Sequence, residues 1–127
     1  MTGMRRKKYE LTRGEEEVMH HIWNLKEATV NDIIDQMAEP KPKYTTVATF
    51  IKLLERKDFV DHYQMSKSFV YTPLVKKESY AKIVMANMIA DYFDGSLAKL
   101  ISFCAEHNEI PAEELDAIAE TINGLKK

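Results

Sequence analysis

Apolar residues in the first part of the chain recur at intervals of three and four positions, the spacing of short helices with one buried face. Two pairs of capping residues mark where two such helices begin, Thr12 with Glu15 and Thr29 with Asp32. The prolines of the Glu39-Pro40-Lys41-Pro42 segment disfavour helix in the residues before them, so the second helix ends there. The stripes that these helices should bury are Val18, Met19, Ile22 and Trp23, then Val30, Ile33, Ile34 and Met37.

A third helix and a β-hairpin are predicted next. The helix runs from Tyr44 to about Lys57, and its outer face presents threonines and basic residues. The segments 59–63 and 68–72 have an extended pattern, and the polar segment 64–67 between them is the predicted hairpin tip. The inner stripe of the helix is Val47, Phe50, Ile51 and Leu54, and its outer face is Thr45, Thr49, Lys52 and Arg56.

The remainder of the chain is predicted to be wholly helical. One helix covers 76–94, Asp94-Gly95-Ser96 ends it and caps the next, and Pro111 starts the last at its first position. The apolar stripe over 76–94 is too wide for a lone surface helix, and a lobe of about 50 residues is too small to bury it alone. We therefore expect a mainly α fold with two domains, residues 1–73 and residues 74–127, of which the second joins two copies of the chain.

The composition is that of a globular protein and excludes several classes. Of the 127 residues, 45% are hydrophobic and 30% are charged, and no apolar run approaches the ~18 residues of a membrane span. Cys104 is the only cysteine, which excludes an internal disulfide and a cysteine-rich metal site and favours a reducing cytoplasm. No G-x-S-x-G, H-E-x-x-H or glycine-rich phosphate loop is present, so we expect no enzyme.

The charges are unevenly distributed, although the net charge is only −2. Residues 1–72 contain 12 Lys and Arg against 11 Asp and Glu, whereas residues 73–127 contain six against nine. Within residues 41–67 the count is six basic against three acidic. The third helix and the hairpin therefore form the basic part of a weakly acidic chain.

Three short helices followed by a two-stranded hairpin is the order of a winged helix-turn-helix. Threonine hydroxyls and methyls can contact base edges and thymine methyls, and Lys and Arg can reach phosphates or guanine. The outer face of the third helix is therefore a candidate DNA-reading surface. The alternative is that its threonines are simply tolerated on a solvated helix surface.

Three segments together resemble the BlaI/MecI family of penicillinase repressors: residues 16–23 (EEVMHHIW), 45–54 (TTVATFIKLL) and 71–75 (YTPLV). The resemblance extends over nearly the whole chain. It implies an N-terminal winged helix, a helical dimerisation lobe, a homodimer and a double-stranded DNA operator as partner.

The family's functional positions match only in part. Thr46 and Thr49 stand where family members present recognition-helix threonines to the operator. Other positions depart from the family's pattern, so the operator read here need not be the penicillinase operator. The departures are Tyr44 and Thr45 in place of Pro-Lys, Ala48 and Leu53 in place of Arg, and Asp58 in place of a turn glycine.

The resemblance also implies a proteolytic switch. In the β-lactam-responsive members, a membrane-bound sensor metalloprotease triggers cleavage of an Asn-Phe bond in the dimerisation lobe. The bond between Ser102 and Phe103 aligns with it, with the Phe matching and the Asn not. Two interpretations stay open: this bond is cleaved and the protease is a partner, or Phe103 simply packs within the helical lobe.

No metal or other cofactor is expected. His20 and His21 are adjacent, so on a helix they point about 100° apart and do not easily share a site. Cys104 and His107 lie three residues apart, but a structural zinc site usually needs four ligands. His62 lies on a predicted strand, where we expect it to meet the DNA backbone or solvent.

The function that these features predict is a sequence-specific DNA-binding transcriptional repressor, a homodimer on a palindromic operator. The alternative is a winged-helix module that binds another protein and no DNA. The predicted base-reading residues are Thr45, Thr46, Thr49 and Lys52, and the predicted backbone contacts are Lys43, Tyr44, Arg56 and Lys67. The predicted dimer residues are Tyr80, Ile83, Val84, Met88, Leu115, Ile118 and Ile122.

Overall fold

A computed structural model describes residues 10–107 and 109–126 of the chain. Within them, helices and one antiparallel hairpin follow in the predicted order, so the prediction of a mainly α winged-helix fold is confirmed. No helix in this described part has the length and hydropathy that a membrane crossing requires. The elements are α1 (Arg13–Leu25), α2 (Val30–Gln36), α3 (Tyr44–Arg56), β1 (Val60–Met65), β2 (Ser68–Pro73), α4 (Lys77–Tyr92), α5 (Leu97–Glu106) and α6 (Ala112–Leu125).

Both predicted capping boxes are present. Thr12 Oγ1 accepts a hydrogen bond from the Glu15 N–H at 3.3 Å, and Glu15 Oε1 accepts one from the Thr12 N–H at 2.8 Å. Thr29 and Asp32 make the same reciprocal pair at 3.1 and 3.0 Å. Each box satisfies backbone donors that the first helical turn leaves without partners, so α1 and α2 begin where the sequence predicted.

The core of the winged helix is built from the predicted stripes of α1, α2 and α3. Trp23, Ile34 and Phe50 are half-buried at its edge. Gly14 lies so near the Phe50 ring that a Cβ added to it would be 2.3 Å from Phe50 Cζ, so any larger residue here would force the Phe50 ring to move. The buried side chains of this core are Val18, Met19, Ile22, Ala28, Val30, Ile33, Met37, Val47, Ile51, Leu54, Phe59, Val60 and Tyr80.

The hairpin is longer than predicted. Its register runs from Val60 opposite Pro73 to Met65 opposite Ser68. Only the last two residues of the predicted 64–67 tip form the turn, and the first of them has a φ of 59°. A two-residue turn with positive φ matches the twist of the paired strands, so pairing continues to the turn.

The structure divides into two compact units between residues 84 and 85, inside α4. The start of α4 belongs to the winged-helix unit, because Tyr80 is buried there and its hydroxyl accepts a hydrogen bond from the Leu11 N–H at 2.7 Å. Just before α4, the carbonyl of Val75 accepts a hydrogen bond from Trp23 Nε1 at 2.8 Å. The compact winged-helix unit therefore continues beyond the predicted domain boundary.

The second unit contains the end of α4 together with α5 and α6. Ser96 caps α5 as predicted, and the two residues before it have φ of 53° and 77°, which ends the preceding helix. Pro111 is the N-cap of α6, so this helix begins one residue later than predicted. Among the described residues of this unit, Asn87 and Ile89 are the buried ones. This unit consequently leaves most of its apolar side chains partly or largely exposed.

Candidate nucleic-acid interface

The third helix, α3, carries a row of exposed threonines and basic residues opposite its buried side. Val47, Ile51 and Leu54 point into the core, and each of these residues is at most 1% exposed. The row follows at positions i, i+4, i+7 and i+11, which share one face of a helix. The first turn of α3 contains no acidic residue that would repel phosphate. We name this row the α3 outer face; it consists of Thr45, Thr49, Lys52 and Arg56.

Thr49 lies at the centre of the α3 outer face and makes a hydrogen bond within the helix. Its hydroxyl donates to the Thr45 carbonyl at 2.8 Å. Because the hydroxyl hydrogen is used there, Thr49 offers a ligand its oxygen lone pairs and its methyl group. An acceptor and a methyl group fit an adenine or cytosine amino group and a thymine methyl in the major groove.

Other predicted contact residues lie off this face. Lys43 is the N-cap residue of α3 and makes no side-chain cap hydrogen bond, and Tyr44 is 55% exposed beside it. Thr46 lines a separate cleft of about 280 Å³ together with Pro42 and Phe50. The structure therefore brings Thr46 to a different side of α3 from the α3 outer face.

Tyr44 and Lys67 line a common cleft of about 230 Å³ between the start of α2, the start of α3 and the hairpin. Thr29, Asn31 and Ser68 line it as well and add neutral hydrogen-bonding groups. A cation beside such groups is the combination that contacts phosphate oxygens of nucleic acid. Asn31 and Ser68 could not be predicted from the sequence, because only the fold brings the start of α2 to the hairpin.

Glu55 of α3 and His62 of β1 meet where the helix and the hairpin come together. Glu55 Oε2 pairs with His62 Nδ1, and the imidazole packs against the rings of Phe69 and Tyr71, whose centroids lie 5.0 and 5.7 Å away. One ligand atom each from Glu55, Asp61 and His62 lies within 4.8 Å of the others, which makes these the residues of the described part that could hold a metal ion. In the structure Glu55 pairs with His62, Asp61 accepts a hydrogen bond from the backbone N–H of His62, and the imidazole packs against two rings of β2.

A buried carboxylate supports the C-terminal end of α3. Glu15 is 1% exposed, and Glu15 Oε1 lies 2.7 Å from the ammonium of Lys57, the C-cap residue of α3. Burial by itself raises the pKa of Glu15, but the hydrogen bonds from Lys57 and Thr12 outweigh it and hold the pKa below its usual value. Glu15 thereby caps α1 and ties it to α3 with one side chain.

The predicted dimer residues divide between the two compact units. Tyr80 lies in the winged-helix unit, where its ring centroid is 5.5 Å from that of Phe59 and 5.9 Å from that of Trp23. Burial raises the pKa of Tyr80 to about 12. The predicted dimer residues that stay half-buried or exposed are Ile83, Val84, Met88, Leu115, Ile118 and Ile122.

In the second unit, α5 separates two apolar clefts of about 790 and 750 Å³, one towards α4 and one towards α6. The bond between Ser102 and Phe103 lies within α5. The ring centroid of Phe103 is 5.6 Å from that of Phe93 and 4.2 Å from that of His107, and Phe103 remains 48% exposed. The two residues of this bond therefore sit on a folded helix beside open apolar clefts.

Comparison with known proteins adds to this geometry. A family model described as "Penicillinase repressor" matches residues 11–124. The methicillin resistance regulatory protein MecI of Staphylococcus aureus strain N315 is 30% identical over 123 residues, which cover 94% of this chain and 98% of that protein. The penicillinase repressor of Bacillus licheniformis is 22% identical over 120 residues, covering 92% of each. The crystal structure of YusO from Bacillus subtilis covers 98% of this chain and 79% of that one, with 17% identity and a TM-score of 0.52, which shows a common fold.

Proposed function

The chain belongs to the penicillinase repressor family, and on that premise we propose that it is a sequence-specific DNA-binding transcriptional repressor. The observation that carries the proposal is the α3 outer face, a row of threonines and basic side chains held outward by a buried apolar side. A repressor of this kind acts where the chromosome is, so we place it in the cytoplasm. The proposal gives the chain a binding role and no catalytic one.

In this proposal the α3 outer face contacts the edges of the bases. Thr49 offers an acceptor and a methyl group to the major groove, and Thr45 and Lys52 flank it along the same face. We expect Thr46 to take no part in base reading, because it lines the cleft on another side of α3. Arg56, in the last turn, reaches the phosphate backbone.

Contacts with the DNA backbone come, in this proposal, from the cleft that Tyr44 and Lys67 line. Asn31 and Ser68 join them there, so the start of α2 and the hairpin engage one strand of the duplex together. Lys43 precedes α3 and adds a further cation. These contacts fix the register of α3 in the groove and carry no sequence preference of their own.

The proposal makes residues 74–127 a dimerisation domain, so that two winged helices meet a palindromic operator. Its support is the apolar surface of the second unit, since large exposed apolar patches mark sites of association. Tyr80 is not part of that surface, because the winged-helix unit buries it. In this proposal the dimer contacts come from Met88, Leu115, Ile118 and Ile122 of the second unit, together with Ile83 and Val84, the last residues of the winged-helix unit.

Release from DNA follows, in this proposal, from hydrolysis of the bond between Ser102 and Phe103, with a membrane-bound sensor metalloprotease as the partner that triggers it. Water adds across this amide, leaving a carboxylate on Ser102 and an amine on Phe103. Because the bond lies within α5, the helix must unwind locally before an active site can bind it. Cleavage would separate α6 from the rest of the chain and so remove part of the dimer surface.

A binding assay with base-pair resolution tests the DNA-reading part. The full chain is used to select duplexes from a random-sequence library, and affinity for the selected duplex is measured by fluorescence anisotropy at several salt concentrations. We expect log Kd to rise linearly with log salt, because phosphate contacts release counterions. Thr49→Ala should cost about 1–3 kcal/mol at one base pair, whereas Lys67→Gln should weaken all sequences alike and lower the salt slope by about 1.

Thr46→Ala is the matched control for Thr49→Ala, because it removes the same groups from another side of the same helix. It should leave the selected sequence unchanged. If Thr49→Ala also left sequence preference untouched, base reading would not lie on the α3 outer face. If no duplex bound at any salt concentration, the chain would be a winged-helix module for another protein.

A further inference from the structure

Two of the three acidic residues in the basic segment 41–67 meet a histidine where α3 and β1 come together. Glu55 lies on α3, and Asp61 and His62 are consecutive residues of β1. One ligand atom from each of them lies within 4.8 Å of the other two. Their spacing along the chain does not indicate a site, because only the fold brings Glu55 to β1. We name these three residues the α3–β1 cluster.

Asp61 turns its carboxylate along the strand, which brings it to the same place as the His62 ring. Successive side chains of a strand point to opposite faces of a sheet, so these neighbours would ordinarily diverge. Instead, Asp61 Oδ1 accepts a hydrogen bond from the backbone N–H of His62 at 2.8 Å. Glu55 Oε2 reaches His62 Nδ1 from α3. Ligand atoms from two elements therefore converge on one region of the surface.

The distances in the α3–β1 cluster suit a single metal ion. Atoms that bind one ion at about 2.0–2.2 Å are about 3–3.5 Å apart, so small rotations of exposed side chains bring the three ligands to this separation. The His62 ring is already oriented by β2, because its centroid lies 5.0 Å from that of Phe69 and 5.7 Å from that of Tyr71. A ligand whose orientation is fixed before binding loses less freedom when the ion arrives.

The charges and the exposure of the cluster favour a cation from solvent. Among the described residues, neither Glu55 nor Asp61 forms an ion pair with a lysine or arginine, and the nearby Lys57 pairs with Glu15 instead. The side chains of His62 and Glu55 are 38% and 33% exposed, and Asp61 is exposed as well, so an ion can reach all three. The contact between Glu55 and His62 that the ion would replace contributes little stability at this exposure.

The types of ligand select a class of metal ion. An imidazole nitrogen suits zinc, iron, nickel and copper ions, and carboxylate oxygens also suit manganese. Calcium and magnesium ions prefer ligand sets made only of oxygen. One nitrogen and two carboxylate oxygens therefore fit a divalent transition-metal ion. Three protein ligands leave at least one coordination position to water.

We propose that Glu55, Asp61 and His62 bind one divalent transition-metal ion, which joins α3 to β1 and strengthens DNA binding. The effect on DNA rests on the proposed function. Glu55 directly precedes Arg56 of the α3 outer face, so the negative charges of the cluster repel phosphate there, and a bound divalent ion cancels them. The ion also fixes the hairpin, whose turn carries Lys67, against the helix that contacts the bases.

Metal binding is measured first, on the full-length protein without DNA. The protein is treated with EDTA, dialysed, and titrated with Zn²⁺ in an isothermal titration calorimeter near neutral pH. We expect one Zn²⁺ to bind per chain. Each of the variants Glu55→Gln, Asp61→Asn and His62→Gln should weaken this binding at least about tenfold, because each removes one ligand.

Asp58→Asn is the matched control, because it removes the third acidic residue of segment 41–67 and none of the proposed ligands. Asp58 is exposed, and asparagine tolerates its φ of 63° as aspartate does. This variant should bind Zn²⁺ as the unmodified protein does. A loss of binding in Asp58→Asn equal to that in Asp61→Asn would mean that Zn²⁺ responds only to the overall charge of the segment, which would overturn the inference.

The second measurement compares DNA affinity with and without Zn²⁺ at constant ionic strength. The duplex is the one that the full-length protein selects from a random library. With one equivalent of Zn²⁺ per chain, we expect Kd to fall about fivefold for each bound protomer, the effect of about one additional phosphate contact, and EDTA should reverse the change. The three ligand variants should bind DNA with an affinity that Zn²⁺ does not change, whereas Asp58→Asn should respond like the unmodified protein.

Trp23 fluorescence checks that every variant is folded. Absence of stoichiometric Zn²⁺ binding by the unmodified protein would overturn the inference, as would binding that none of the three ligand substitutions weakens. Zn²⁺ that binds at the cluster and leaves DNA affinity unchanged would overturn the effect on DNA. Failure of the proposed function is distinct, since then no duplex would bind with or without Zn²⁺, while the protein alone would still bind the ion.

Discussion

The winged-helix unit and the helical unit contain similar apolar residues and bury them to different extents. In the first unit, Ile22, Ile33 and Leu54 have no exposed surface. In the second, Tyr92 is 78% exposed and Leu125 is 79% exposed. An apolar stripe therefore tells which side chains favour burial, but it does not tell whether the same chain provides the covering surface.

The difference suggests different sources of stability. The winged-helix unit has a contiguous core, two capping boxes and an ion pair with a buried carboxylate, so it has what a small domain needs to fold by itself. The helical unit has short helices around open apolar clefts, and a unit of this size rarely buries enough surface alone. In the proposed dimer, the second copy supplies the missing surface.

The largest effect is expected from removing the end of the helical unit. A chain of residues 1–102 lacks α6, and full burial of its four large apolar side chains is worth on the order of 6–10 kcal/mol before entropy is counted. We expect this fragment to sediment as a monomer at micromolar concentration. Its affinity for the selected palindromic duplex should be at least about 100-fold lower, because each monomer binds one half-site. The four side chains are Leu115, Ile118, Ile122 and Leu125.

The fluorescence of Trp23 serves as the control for this fragment, because its indole reports the winged-helix unit through the hydrogen bond to Val75. The emission should match that of the full chain. The full-length variant Ile122→Asp provides a second way to disrupt association without shortening the chain. A fragment that remained a tight dimer with undiminished affinity would exclude cleavage after Ser102 as the release mechanism.

The next largest effect is expected from replacing a buried isoleucine, compared with replacing an exposed one. Ile51→Ala empties part of the winged-helix core, where the residue is 1% exposed, and should lower the free energy of unfolding by about 2–5 kcal/mol. Ile122→Ala, at a position that is 44% exposed, should change the same transition by less than about 1 kcal/mol. Urea unfolding followed by Trp23 fluorescence measures both. Equal losses would mean that the two units unfold as one.

A smaller effect concerns the ion pair beneath α3. Glu15→Gln keeps the hydrogen bond to the Thr12 N–H but loses the charge that pairs with Lys57, so it should cost about 1–3 kcal/mol at neutral pH. The pKa of Glu15 is lowered in the folded state, so its stabilising contribution is present above the pKa of the unfolded chain. It is lost as the pH falls through the lower pKa of the folded chain.

Melting temperatures measured from neutral to acidic pH therefore test whether Glu15 stabilises the protein through its charge. The unmodified protein should lose more stability than Glu15→Gln as the pH falls below about 4, so their melting temperatures should converge. Glu17→Gln, an exposed carboxylate on the same helix, should melt in parallel with the unmodified protein. Melting curves of Glu15→Gln and the unmodified protein that stayed equally far apart at all pH values would show that Glu15 acts by packing and not by charge.

Local features of the fold could be predicted from the sequence wherever neighbouring residues determine them. The capping pairs and the positive φ of 63° at Asp58, a residue type that tolerates it, depend only on nearby backbone and were accessible in this way. The length of the hairpin and the start of α6 differed by one or two residues, because element ends depend on turn geometry. The confirmed order of elements followed from hydrophobic spacing.

Long-range contacts of the candidate site were beyond sequence reasoning. The approach of Asn31 to Lys67 depends on how α2 packs beside the hairpin. The pairing of Glu55 with His62 depends on where β1 passes α3. Helical spacing did place Thr49 on the outer face, but only the structure shows that its hydroxyl hydrogen is already bound.

The smallest effect is expected from removing one helix cap in each unit. Thr29 caps α2 and Ser96 caps α5, and each accepts a hydrogen bond from a backbone N–H three residues on, at 3.1 and 3.2 Å. Replacing either by alanine should cost about 1 kcal/mol locally. Thr29→Ala should shift the urea transition reported by Trp23, because α2 belongs to the core around that residue.

Ser96→Ala should leave the Trp23 transition unchanged and weaken self-association instead, because α5 contributes to the apolar clefts of the helical unit. Sedimentation equilibrium at several protein concentrations measures that loss. The pair of variants thus applies the same chemical change to the two units and asks which property responds. If Ser96→Ala shifted the Trp23 transition as much as Thr29→Ala, the helical unit would be part of the cooperative fold of the winged helix. Its exposed apolar side chains would then need another explanation than a second copy of the chain.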